Sequence, residues 1–200
     1  GGGADSSTLN NCTLTGNSAY WGGGACGGTL NNCTLSGNVA LDRSYGFGGG
    51  AYASTLNSCL LTGNSAWGSG GGALDCTLNN CTLTNNSAWE SGGGACGGSL
   101  YNCVLAGNSA EWGSGGGAYQ GSYQSCLLSN CTLTCNRAGN SGGGTYGGSL
   151  YNCTLSGNSA RYGGGAAGYL EATLGGCYRC GTFYNCILTG NSAEEGGGAY

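Results

Sequence analysis

Along most of the chain, short runs of alternating apolar and polar residues are separated by glycine-rich breaks. In Cys12-Thr13-Leu14-Thr15 the alternation has a period of two. This predicts a short strand with Cys and Leu turned inward and Thr outward. Leu9 is also apolar but lies three positions before Cys12, out of phase with it. A bend at Asn10-Asn11 restores the phase, because Asn tolerates left-handed backbone. Gly16-Asn17 predicts the next bend and Ser18-Ala19 a second strand; the following glycine run turns the chain again, and Ala25 opens a third strand. No stretch of about ten residues carries a 3.6-residue pattern, and Gly-Gly-Gly interrupts each period, so helices are excluded.

This pattern repeats. The motif C-x-L-x-x-N-x-A starts at Cys12, Cys33, Cys59, Cys81, Cys103, Cys131, Cys153 and Cys186, and none of its four fixed positions is ever substituted. Gly-Gly-Gly-Ala recurs with it, once as Gly142-Gly143-Gly144-Thr145. Successive motif cysteines are separated by 21, 26, 22, 22, 28, 22 and 33 residues. A minimum period of 21 residues with three short segments fits one coil of a parallel β-solenoid. The expected fold is therefore all-β: a right-handed parallel β-helix of about eight coils of 21–22 residues, with loop insertions, as a single domain over residues 1–200. The right hand follows from the general preference for right-handed parallel crossovers. The insertions at 41–47, 120–130 and 168–182 are expected to leave the rod as loops while the coils keep register. Stacking at ~4.8 Å per coil makes a rod roughly 40 Å long. It also aligns a structural ladder of the eight motif Cys residues with a second ladder of Asn17, Asn38, Asn64, Asn86, Asn108, Asn136, Asn158 and Asn191. Each Asn amide is expected to bond along the axis and to satisfy backbone groups freed at the bend.

Composition sharpens this picture. Glycine is 48 of 200 residues, while Leu, Ile, Val and Phe together number 26, too few for a conventional compact core. Such aliphatic poverty signals disorder when net charge is high, but here the formal charge is only −4 and the glycines are periodic. The chain has no His, Lys, Met or Pro. Ser-His-Asp and Cys-His catalysis and His-containing metal sites are thereby excluded. Four Arg against eight acids give no basic stripe for nucleic acid, and no apolar run approaches the ~20 residues of a membrane span.

The pairing of Leu-x-x-Asn with Gly-Gly-Ala resembles the F-x-x-N and G-G-A-[ILVY] repeats of chlamydial polymorphic outer membrane proteins. It is also similar to the Gly/Asn-rich right-handed β-helix repeats of large bacterial cell-surface proteins. The resemblance covers essentially the whole chain. It implies an extracellular or cell-surface location, often with adhesion, and no shared catalytic residues. The chain departs from those repeats in using Leu where Phe is frequent, in placing Cys in every coil, and in showing no autotransporter barrel.

Several side-chain groups are candidates for chemistry. Fifteen cysteines are present. Buried motif Cys reads as a small hydrophobe, and vertical disulfides between coils are the alternative. Cys126, Cys135, Cys177 and Cys180 are the better disulfide candidates, because staples help irregular loops most. Tyr20, Trp21, Trp67, Trp89, Trp112 and Tyr162 fall just before glycine runs and are expected to line one edge. They shield that edge, bind sugar, or form a seam with a second rod. A second Tyr series, Tyr52, Tyr119, Tyr146 and Tyr200, follows the repeat alanines. Thr13/Thr15, Thr82/Thr84 and Thr132/Thr134 form T-x-T pairs like those of ice-binding solenoids, broken by Leu60, Val104 and Ile187. The carboxylates are scattered, with no pair held at a defined separation for acid–base work. Asn-Cys-Thr sequons stand at Asn11, Asn32, Asn80, Asn130 and Asn152, and Asn85 opens an Asn-Asn-Ser sequon.

These features point to a non-enzymatic structural repeat protein of an extracellular fibre, stalk or surface layer, without cofactor or metal. The chain opens and closes inside a repeat, which raises the expectation of coils continuing at both ends or of end-to-end pairing of copies into filaments. The alternative is a surface adhesin or glycan-binding rod using the aromatic edge, with polysaccharide or a cell surface as partner.

Overall fold

The structure, a computed structural model, describes residues 1–42, 46–120, 126–168 and 181–200. Their regular secondary structure is β-strand throughout, with every strand pairing parallel, and they form a β-solenoid of about seven turns. Three sheets make its faces, of fourteen, eight and six strands. The first face carries the segments after each glycine run, such as Ala51–Tyr52 and Thr55–Asn57. The second carries the motif strands, such as Thr82–Thr84. The third carries Ser-Ala pairs, such as Ser87–Ala88.

The register follows the repeat. On the first face Leu30, Leu56, Leu78, Leu100, Leu128 and Leu150 lie in one column. Leu35, Leu61, Leu83, Leu105, Leu133 and Leu155 form another on the second face. All twelve are fully buried. A buried Leu contributes about 1.5–3 kcal/mol. A coil this narrow is filled by two leucines, one cysteine and small alanines, so the low aliphatic content is enough. Ala40, Ala66, Ala88, Ala110 and Ala138 line the third wall, all buried.

Two expectations need correction. Each coil was expected to contain three segments, but the first face usually holds two, separated by an extra left-handed bend at Ala53 (φ 48°), Asp75 (φ 52°) or Gly97 (φ 65°). Only in Ala4–Asn10 and Ala25–Asn31 do the two run together as one strand. Asp75 and Gly97 are ordinary turn residues and Ala53 is not, so no residue type repeated from coil to coil marks the bend. The loops are also narrower than expected. Cys126–Ser129 is a strand in register with Gly98–Tyr101, because it carries Leu128 into the Leu100 column. Thr182–Tyr184 likewise pairs with Ser149–Tyr151, and Phe47 bridges to Trp21. Register is kept across all three insertions: Ser65 pairs with Val39, Ser109 with Arg137, and Thr154 with Ile187. The remainders at 43–45, 121–125 and 169–180 lie outside the described residues.

Candidate functional site

The corner between the second and third faces is built by the Asn ladder. Asn38 Oδ1 accepts from both the backbone N–H and Nδ2 of Asn17, each at 3.0 Å. Asn38 Nδ2 in turn donates to Leu14 O and to Asn64 Oδ1, each at 2.9 Å. The arrangement recurs through Asn158, which donates from its backbone N–H and Nδ2 to Asn191 Oδ1 at 2.9 Å. Every valence of the amide is thus used, and Asn38 through Asn158 are buried. The glycine runs let this corner close. A Cβ on Gly72 would press on the Asn86 amide, and one on Gly71 would meet the carbonyl oxygens of Ser87 and Gly93.

The cysteine ladder does more than fill space. The single S–H of Cys81 is shared between Asn79 O at 3.3 Å and Leu56 O at 3.4 Å, and the sulfur accepts from the Cys59 backbone N–H at 3.4 Å. The thiols therefore close backbone groups left by the bends, much as the Asn amides do. Contact with Cys131 and then with Cys81, followed by burial, pushes the Cys103 thiol up. Burial pushes Cys76 and Cys126, outside the ladder, up to about 12. Of the disulfide candidates, Cys126 is a buried free thiol on the first face and Cys135 an exposed free thiol at a bend after the second. They do not pair with each other. Cys177 and Cys180 lie outside the described residues.

The aromatic candidates lie beyond the third face. Trp67, Trp89 and Trp112 form an axial ladder, with ring centroids 5.6 and 5.9 Å apart and planes tilted by 43° and 52°. Trp89 is 48% and Trp112 71% exposed. Ser65, Ser87, Trp67, Trp89 and Glu111 line a shallow hollow of about 210 Å³ over the Ser-Ala strands. Glu111 Oε1 is held by the Ser109 hydroxyl at 2.9 Å. Tyr20 and Trp21 flank a second hollow with Asp42, and Trp21 meets Tyr52 at 6.1 Å. Tyr162 stacks near Tyr200 at 5.4 Å, under the Arg161 guanidinium. The two aromatic series thus meet at Trp21–Tyr52 and Tyr162–Tyr200. Tyr119 and Tyr146 stack on the first face at 5.4 Å.

The second face carries the Thr column outward, with Thr15 and Ser36 hydroxyls 2.9 Å apart and Thr84 bonded to Thr62 at 3.1 Å. Exposed Leu60, Val104 and Ile187 interrupt it. The sequon Asn residues are all exposed and left-handed. All but Asn85 share a column with Asn102 and Asn185 that forms a further ladder, in which Asn152 Nδ2 donates to Asn130 Oδ1 at 3.1 Å and Asn185 Nδ2 to Asn152 Oδ1 at 2.8 Å. Another joins Asn10, Asn31, Asn57 and Asn79. Both were hidden because Ser, Tyr or other residues replace Asn in some coils. Among the described residues no three His, Cys, Asp or Glu side chains converge on a metal-sized site, and no helix is long and apolar enough to cross a membrane.

No protein-family model, curated protein or solved structure matches the chain.

Proposed function

We propose that this chain is a non-enzymatic rod section of an extracellular or cell-surface fibre, stalk or surface layer, assembling end to end. The observation that carries this reading is the unbroken Asn ladder from Asn17 to Asn191. Each coil presents the same amide and Leu carbonyl acceptors to the next, so the upper surface of one coil fits the lower surface of any other. Contacts of this head-to-tail kind do not close on themselves and generate filaments. The formal charge of −4 offers little repulsion to such stacking. The resemblance to chlamydial and other bacterial surface repeats supports the location.

The carboxylates also suit a structural role. Asp75 sits at a left-handed bend, Glu111 is tied to Ser109, and Glu194 pairs with exposed Arg161 at 3.2 Å. Electron microscopy of the purified chain at tens of micromolar tests the proposal. The expected result is unbranched filaments one rod wide. A dispersed monomer at that concentration contradicts it.

A further inference from the structure

We infer that the tryptophan ladder and the serine strip beside it form a docking groove for a neutral polysaccharide strand lying along the rod axis. The groove is built from Trp67, Trp89 and Trp112 as a ridge, Ser65 and Ser87 beside it, and Glu111 at its side. Its chemistry matches a sugar polymer on three counts.

The first is periodicity. Indole rings recur on successive coils with centroids 5.6 and 5.9 Å apart, half-buried at Trp67 and exposed at Trp89 and Trp112. Such a row offers repeated apolar platforms to a ligand that itself repeats, and the C–H face of a pyranose ring stacks on aromatic faces. The second is hydrogen bonding. Ser65 and Ser87 supply hydroxyls, which both donate and accept, and Glu111 supplies a carboxylate acceptor whose orientation Ser109 fixes. A hydroxyl-rich ligand satisfies both kinds of group. The third is charge. Among the described residues that line this hollow there is no cation, and Glu111 is one of them. A polyanion meets a carboxylate and the negative faces of three indoles there, whereas a neutral glycan meets no penalty.

Size separates a glycan from a second copy of the chain. Exposed Trp89 and Trp112 with half-buried Trp67 present roughly 300 Å². A stable protein interface needs about 800 Å² on each partner. The proposal is independent of the fibre reading: a rod that forms no filaments still carries the groove.

Three of the four tryptophans of the chain, Trp67, Trp89 and Trp112, belong to this ridge and the fourth, Trp21, to the separate Tyr20–Asp42 hollow, so emission excited selectively at tryptophan reads mainly the ridge. The experiment titrates the intact chain with the hexasaccharides of cellulose, chitin, xylan and mannan, with polygalacturonate as the acidic comparison. At least one neutral hexasaccharide is expected to shift the emission saturably, with polygalacturonate giving no shift. Trp89→Ala should weaken that binding about ten-fold, Trp112→Ala should weaken it with folding unaffected because its ring is exposed, and Trp21→Ala should bind as the parent. Silence with every neutral sugar overturns the proposal. So does unchanged binding in both the Trp89 and Trp112 variants, or preferential binding of polygalacturonate. A concentration-dependent shift without sugar, accompanied by dimer in sedimentation, also overturns it and assigns the ridge to a second copy.

Discussion

Two positions in each repeat, three residues apart, sit on the same coil. The motif Asn is identical in all eight copies, from Asn17 to Asn191. The residue just after the motif Ala is Tyr20, Leu41, Trp67, Trp89, Glu111, Gly139, Arg161 and Glu194 in turn. From Asn38 to Asn158 the Asn is buried and bonded to the coils on both sides, so a change there damages two interfaces at once. The edge position makes its contacts across exposed surface and bears no amide of a neighbouring corner. In a solenoid, where stability is a sum of coil and nearest-neighbour terms, the corner carries the fold and the edge is free to take on recognition.

Breaking the corner has the largest expected effect. Asn108→Ala removes the acceptor for the Asn86 backbone N–H and Nδ2 and the donor to Leu83 O, all bonded at 3.0 Å. Leaving these buried groups unpaired costs on the order of 4 kcal/mol. A urea unfolding midpoint lowered to match is the expected reading, and a shift like that of a surface substitution contradicts the ladder's role.

Alkaline pH probes the same interior. Cys76 and Cys126 are raised from 9.0 to about 12 by burial. A raised folded-state pKa means that their contribution is fully present below pH 9 and is lost as pH rises toward 12. Each thiol should then remove about 1.4 kcal/mol per pH unit within that window. Urea unfolding midpoints measured between pH 8 and pH 10, at roughly one-unit steps, check the sign. Stability that is flat or rising above pH 9 shows that the thiols are not held neutral by the fold.

Gly71→Ala is expected to cost less, about 1–3 kcal/mol. Its Cβ falls on the Ser87 and Gly93 carbonyl oxygens, and the coils must separate to admit it. The smallest effect belongs to the edge. Trp89→Ala removes two ring contacts from a half-exposed residue, worth about 1 kcal/mol. A Trp89 variant as unstable as the Asn108 variant erases the distinction between corner and edge.

Much of the corner was legible in the sequence because it is enforced in every copy: C-x-L-x-x-N-x-A names the buried columns directly. Less was legible where one backbone conformation accepts several side chains. The bend at Ala53, Asp75 and Gly97 has no shared residue type to mark it. The Asn130–Asn152 ladder is obscured by Ser58 at the equivalent position. The hydrogen-bonding part of the Cys column was missed because a thiol reads first as a hydrophobe. At the edge, the ring types were visible but their partners were not, since Trp21 meets Tyr52 and Tyr162 meets Tyr200 across coils of unequal length.

Hydrogen exchange of individual backbone amides tests the division of labour most directly. The N–H groups of Asn38, Asn64, Asn86, Asn108 and Asn136 each donate to the Asn Oδ1 of the adjacent coil at 2.9–3.0 Å. They are expected to exchange only on opening of whole coils, at rates common to the group. Amides of the edge segments 67–69, 89–91 and 111–113 are expected to exchange earlier and individually. Asn amides exchanging as fast as those edge segments would contradict the account.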